Sequence, residues 1–134
     1  MLRTLPLLIG LFFTGCSDDT PTSPSESLNG EWRIISIQPP SQPVQTAPVG
    51  ARYQIEFENG RASVRVDCNT CAGPAVLNGT TLAIGPTLTC TRAACATASY
   101  ESAVVEMLSG DHQIARTLHN LTLTSSRGMI LLQR

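Results

Sequence analysis

From Leu28 onward the apolar positions recur mostly with a period of two. Trp32, Ile34 and Ser36 alternate with Arg33, Ile35 and Ile37, and Tyr53, Ile55 and Phe57 alternate with Gln54, Glu56 and Glu58. This is the pattern of strands with one buried face. Glu58-Asn59-Gly60-Arg61 supplies a tight turn, because Asn and Gly accept the positive φ angles of a hairpin. Ala62, Val64 and Val66 carry the returning strand, so residues 53–67 read as a hairpin. Asn78-Gly79 repeats the signal between residues 75–77 and 81–84, and Ser126-Arg127-Gly128 repeats it between 121–123 and 129–132. Together they predict an antiparallel sheet. The proline-rich stretch from Pro39 to Gly50 reads as a surface loop, since proline cannot donate to a ladder.

One segment breaks the two-residue period. Ala96, Tyr100, Ala103, Val104, Met107 and Leu108 fall at helical spacing, with Thr97 as N-cap, Glu101 in the first turn and Gly110 as the stop. A helix with one apolar face packs that face on the sheet, which makes Tyr100 and Met107 core residues. The fold class is α+β, mainly β.

The N-terminus carries a different signal. After Met1, Leu2 and Arg3, an apolar run from Leu5 to Phe13 is too short for the roughly 20 residues of a spanning helix and reads as a signal peptide over residues 1–15. Phe13-Thr14-Gly15-Cys16 resembles the lipobox of bacterial lipoproteins, with Phe13 where Leu is usual. That resemblance implies cleavage before Cys16, a lipid anchor on its thiol and attachment to the envelope membrane. Ser17 in the next position leans towards the outer membrane in a cell with two membranes. Residues 17–27, SDDTPTSPSES, hold no hydrophobic side chain and read as a disordered tether, so the domains are 1–15, 16–27 and 28–134.

Composition adds mainly exclusions. A net charge of −1 with arginines scattered among the acids gives no basic patch in the sequence, and so no nucleic-acid partner. The four cysteines after Cys16 are the concentrated chemistry. Cys68-x-x-Cys71 with Cys90-x4-Cys95 has the ligand count of a tetrahedral zinc site, but the export signal favours disulfides. A thioredoxin-like role would need Cys68-x-x-Cys71 at a helix start, whereas here it leaves a strand for a Gly-Pro turn. Haem attachment fails because Ala72 follows Cys71. His112 and His119 lie near strand ends and read as solvated. Glu56 and Glu58 share an exposed strand face, and Asp67 and Asn69 read as loop-structuring residues. No G-x-S-x-G or H-E-x-x-H motif occurs, so no catalytic residue, metal or cofactor is assigned.

The order of these segments resembles the META/HslJ family of small bacterial envelope domains. Gly30 and Trp32 match its opening G-x-W strand. Cys68, Asn69 and Gly73 match its G-C-N-x-x-x-G segment, and Thr91 and Cys95 its T-x-x-x-C before the helix. Asp67 stands where the family usually has Gly, and Cys71 and Cys90 are additional. The resemblance implies a compact, strongly curved antiparallel sheet of about seven or eight strands with one helix packed across it, and no defining enzymatic activity. It also implies the pairing Cys68–Cys95 and Cys71–Cys90, since the first two recur in relatives without the second, while the residues themselves leave Cys68–Cys90 with Cys71–Cys95 open. Members are described by association with stress tolerance, motility or drug resistance. The reading is a non-catalytic, lipid-anchored envelope module that binds another envelope protein or an apolar ligand. Its alternative is a thiol-redox or metal-binding protein using Cys68, Cys71, Cys90 and Cys95.

Overall fold

The computed structural model describes Gly15 and residues 28–134. Cys16, the tether and the rest of the signal segment lie outside the described residues.

Ten strands and one helix follow in the order β1 (Gly30–Gln38), β2 (Gln45–Thr46), β3 (Tyr53–Glu58), β4 (Arg61–Val66), β5 (Asn69–Asn78), β6 (Thr81–Ile84), β7 (Thr89–Cys90), α1 (Ala98–Leu108), β8 (Gly110–Arg116), β9 (Asn120–Ser125) and β10 (Gly128–Gln133). Eight strands pair antiparallel as β1-β3-β4-β5-β6-β8-β9-β10, and β10 returns to β1 to close a barrel. A barrel of eight strands has an interior just wide enough for side chains to fill. Trp32, Ile34, Ile55, Val64, Leu82, Leu121, Leu123, Ile130 and Leu132 fill it. The outward rows are charged and polar, with Glu31, Arg33, Glu56, Ser63 and Thr70 exposed. Apolar inside and charged outside is the reverse of the arrangement by which a barrel meets lipid.

Five local expectations change. In β1 the register slips between Ile34 and Ser36, a β-bulge that turns Ile37 inward with Trp32 and Ile34 and leaves Ser36 off the core, so strict alternation ends there. The loop from Pro39 to Gly50 contains β2, whose two residues pair with Ser36 and Ile37. Gly73-Pro74 is not an exit turn but lies inside the ten-residue β5. The Pro74 carbonyl accepts from the Gly85 N–H. Its nitrogen therefore faces the same edge, where the neighbour changes from β7 to β6 and no ladder acceptor waits. Strand β8 was not legible as a strand, because its inward positions include His112 and its end carries Arg116. His112 is not solvated: it is 1% exposed, and its Nε2–H donates to the Met107 carbonyl at 2.8 Å.

Helix α1 covers one end of the barrel, burying Tyr100, Val104, Met107 and Leu108. It starts at Ala98, directly after the Thr97 N-cap, with Ala96 outside it, and ends before Gly110; the Thr97 hydroxyl turns to Asp67 and makes no capping bond within the helix. The barrel caps both helix ends. The Asp67 carboxylate takes the Thr97 N–H, and Arg127 donates to the Glu106 and Ser109 carbonyls at 2.8 and 3.0 Å. An anion at the N-terminus and a cation at the C-terminus both complement the helix dipole.

Candidate functional site

The turn between β4 and β5 concentrates the polar chemistry. Asp67 holds φ +57°, a left-handed conformation that Asp tolerates and most side chains do not. This geometry aims its carboxylate at the helix start. Oδ2 accepts from both the Thr97 N–H (3.1 Å) and the Thr97 hydroxyl (2.7 Å). With the Thr97 proton committed to Asp67, the Tyr53 hydroxyl is the donor across the 2.6 Å contact to Thr97 Oγ1. Tyr53 meets Tyr100 edge to face at 4.8 Å between ring centroids. Burial raises the hydroxyl pKa of Tyr53, the Thr97 hydrogen bond opposes that shift, and the Asp67 and Glu101 charges add to it. Tyr100 is pushed up to about 12, first by burial and then by Tyr53.

Asn69, two residues on, is 1% exposed and fully engaged. Its Oδ1 accepts from Thr91 Oγ1 (2.9 Å) and the Ala93 N–H (2.8 Å). Its Nδ2 donates to the Ala93 carbonyl (2.9 Å), Glu101 Oε1 (2.7 Å) and Cys95 Sγ (3.2 Å). Thr91 in turn exchanges hydrogen bonds with Thr70, its Oγ1 and its N–H meeting the Thr70 N–H and carbonyl. One buried amide therefore pins the chain that runs from β7 to the helix.

The four cysteines are bonded as Cys68–Cys95 and Cys71–Cys90. The first ties the β4–β5 turn to the helix approach. The second joins directly opposed residues of β5 and β7. Cys68 and Cys71 do not pair with each other, although a dithiol redox motif exchanges electrons between its own two sulfurs. Among the described residues no group of three or more His, Cys, Asp and Glu side chains is arranged to hold a metal ion.

The structure brings Cys68, Asn69, Thr91 and Cys95 together at the helix end of the barrel. Gly73 stands behind them on β5, where a Cβ would lie 3.0 Å from Leu88 Cδ2 and 3.1 Å from the Thr87 carbonyl oxygen, so the β6–β7 connection passes close and a larger residue there would have to push it back by a few tenths of an ångström. Gly30 and Trp32 sit at the opposite end. There the Trp32 indole donates to the Leu28 carbonyl at 2.9 Å, and the Arg134 guanidinium lies 3.8 Å from the ring centroid. Tyr53, Glu101 and Arg127 take part in these contacts without any sequence signal for that role. Tyr53 is indistinguishable from any inward strand residue in the pattern, and Glu101 carries only the signal of a first-turn charge. His119 is exposed, as are Glu56 and Glu58. Beside the helix, a groove of 530 Å³ is lined by Asn69, Arg92, Glu101, Ser102, Val105 and Glu106 among others.

These features define a class: a small closed antiparallel barrel sealed by one helix, whose concentrated polar groups hold its own loops in place. The chain belongs to the META domain family, whose model matches residues 26–134. It is similar to a protein from Burkholderia xenovorans solved by NMR, with 21% identity, a TM-score of 0.65, and 98% of this chain and 96% of that one covered. A second NMR structure shares 20% identity at a TM-score of 0.64, covering 84% and 95%. A crystal structure of an uncharacterized protein from Bacteroides eggerthii shares 12% identity at a TM-score of 0.53, covering 80% and 98%. These likenesses concern the fold. No curated protein matches the chain.

Proposed function

We propose that this protein is a non-catalytic envelope lipoprotein, anchored through Cys16, whose META barrel binds or supports another envelope component. The observation that carries the reading is the engagement of the polar hub. Asp67, Asn69 and Thr97 bond to one another's loops and Cys68, Cys71, Cys90 and Cys95 bond in pairs, which leaves no nucleophile and base poised on a shared open position among these groups. A rigid, disulfide-braced barrel with charged outer grooves is suited to recognition, with specificity on its outer rows. The Phe13-Thr14-Gly15-Cys16 junction supports the anchor, and the Ser17 position supports the outer membrane.

Membrane fractionation of wild type and Cys16→Ser, followed by cross-linking and capture from the membrane fraction, tests the reading. Release of the variant to the soluble fraction, together with one cross-linked envelope partner that the variant loses, is the expected result. Unchanged partitioning and fatty-acid labelling of the variant contradict the anchor. Thiols of the native domain that titrate freely would favour redox or metal chemistry at Cys68, Cys71, Cys90 and Cys95 instead.

A further inference from the structure

Arginines that lie far apart in the sequence meet on the outer face of β1, β3 and β4. Arg33 pairs with Gln54 across β1 and β3, and Gln54 pairs with Arg65 across β3 and β4. The three side chains form one outward row with a cation on each side of a neutral amide. Arg52 precedes Gln54 by two residues, and its carbonyl is fixed by the Asp67 N–H at 2.8 Å. Arg52, Gln54 and Arg65 line a groove of 590 Å³ with Ser63, Thr70 and Thr91. Arg33, Arg52 and Gln54 line an adjoining groove of 830 Å³, so the row is the ridge where the two meet.

The guanidinium groups of Arg33, Arg52 and Arg65 make no hydrogen bond or ion pair among the described residues. The acids Glu31 and Glu56 stand one row further along the sheet, Glu56 lining the first groove and Glu31 the second. Arg65 Nε is withdrawn from solvent with no acceptor. The terminal N–H groups of that guanidinium are not buried with it, and a guanidinium presents its donors as a fork matched to carboxylate or phosphate oxygens. We propose that this outward patch, Arg33, Arg52, Gln54 and Arg65, is a binding site for a ligand presenting an oxyanion, a carboxylate or a phosphate. The anion meets the terminal N–H groups of the Arg65 guanidinium, Gln54 donates beside it, and Arg52 and Arg33 stand on either side. The site rests on the binding-module reading for where its ligand resides, but its geometry stands without the anchor.

Full-length protein extracted in a nonionic detergent is titrated with inorganic phosphate in one arm and with tricarballylate, a tricarboxylate, in the other. The Arg65 Nε–H and Gln54 side-chain amide resonances are followed. A saturable shift is expected with at least one probe, and the stronger arm assigns the ligand to phosphate or carboxylate chemistry. Losing one charge-assisted contact should weaken binding by about tenfold or more in Arg65→Gln and in Arg33→Gln. Arg61→Gln, an exposed arginine at the other end of β4, should leave it unchanged. If Arg65→Gln fails to fold, Arg33→Gln and Arg52→Gln, both at exposed positions, carry the same comparison. No saturable shift in either arm, or an Arg61→Gln effect as large as those at Arg33 and Arg52, overturns the site. Because the readout is in purified protein, failure to capture a partner in cells would count against the module and leave this result standing.

Discussion

Asp67 shows how one residue can serve two elements. Its left-handed φ turns β4 into β5, and its carboxylate caps a helix 30 residues away in sequence. The two roles separate by substitution. Asp67→Gly keeps the backbone conformation and loses the cap, a cost of about 1 kcal/mol. Asp67→Ala loses the cap and adds left-handed strain, for a total of about 2–3 kcal/mol. Urea denaturation should therefore rank wild type, Asp67→Gly and Asp67→Ala in that order, and a glycine variant less stable than the alanine variant would contradict the assignment. The tyrosines give a pH signature. Tyr100 ionises near 12 when folded, and Tyr53 is also shifted up, whereas both ionise near 10 when unfolded. The folded state retains protons that the unfolded chain has lost, so stability is level below about pH 9 and falls from about pH 10 towards 12. Tyr100→Phe should flatten that fall in denaturation curves taken across the range; an unchanged slope would remove Tyr100 as its cause.

At the scale of elements, pattern and structure agree where one face is buried and differ where an edge is involved. The hairpins β3–β4, β5–β6 and β9–β10 and helix α1 were legible because period and turn residues agree. The bulge in β1, the passage of β5 through Gly73-Pro74, and β8 with its buried His112 were not. Each depends on which strand lies alongside, and a local pattern carries no such information. The Asn69–Thr91 hub and the arginine row are similarly long-range, since Arg33, Gln54 and Arg65 are joined only by register. Strand β7 is the element most dependent on covalent support. Two residues pair it to β5, and the Cys71–Cys90 bridge spans that pair. The bridges have sequence separations of 27 and 19, and chain entropy gives each about 3 kcal/mol. Reduction should lower the melting temperature sharply and raise hydrogen exchange first in residues 85–97, ahead of β9 and β10. Uniform exchange across the barrel would contradict β7 as the point of release.

At the scale of the whole molecule, a segment resembling a lipobox precedes a closed barrel of the META family whose four cysteines are paired. Barrel closure through β10 and β1 makes the domain independent of a partner strand, and Gly128 at that seam is required because a Cβ there would collide with the Gln38 carbonyl. The charged exterior is unlike a lipid-facing barrel surface, and the proposed membrane attachment therefore runs through Cys16. Intact mass of the protein extracted from membranes, without reductant and after exposure to an alkylating agent, tests this most directly. A chain beginning at Cys16, carrying a diacylglyceryl group and taking up no alkyl adduct, is the predicted result. A chain that retains residues 1–15, that begins elsewhere without lipid, or that gains four alkyl adducts on Cys68, Cys71, Cys90 and Cys95 would contradict it.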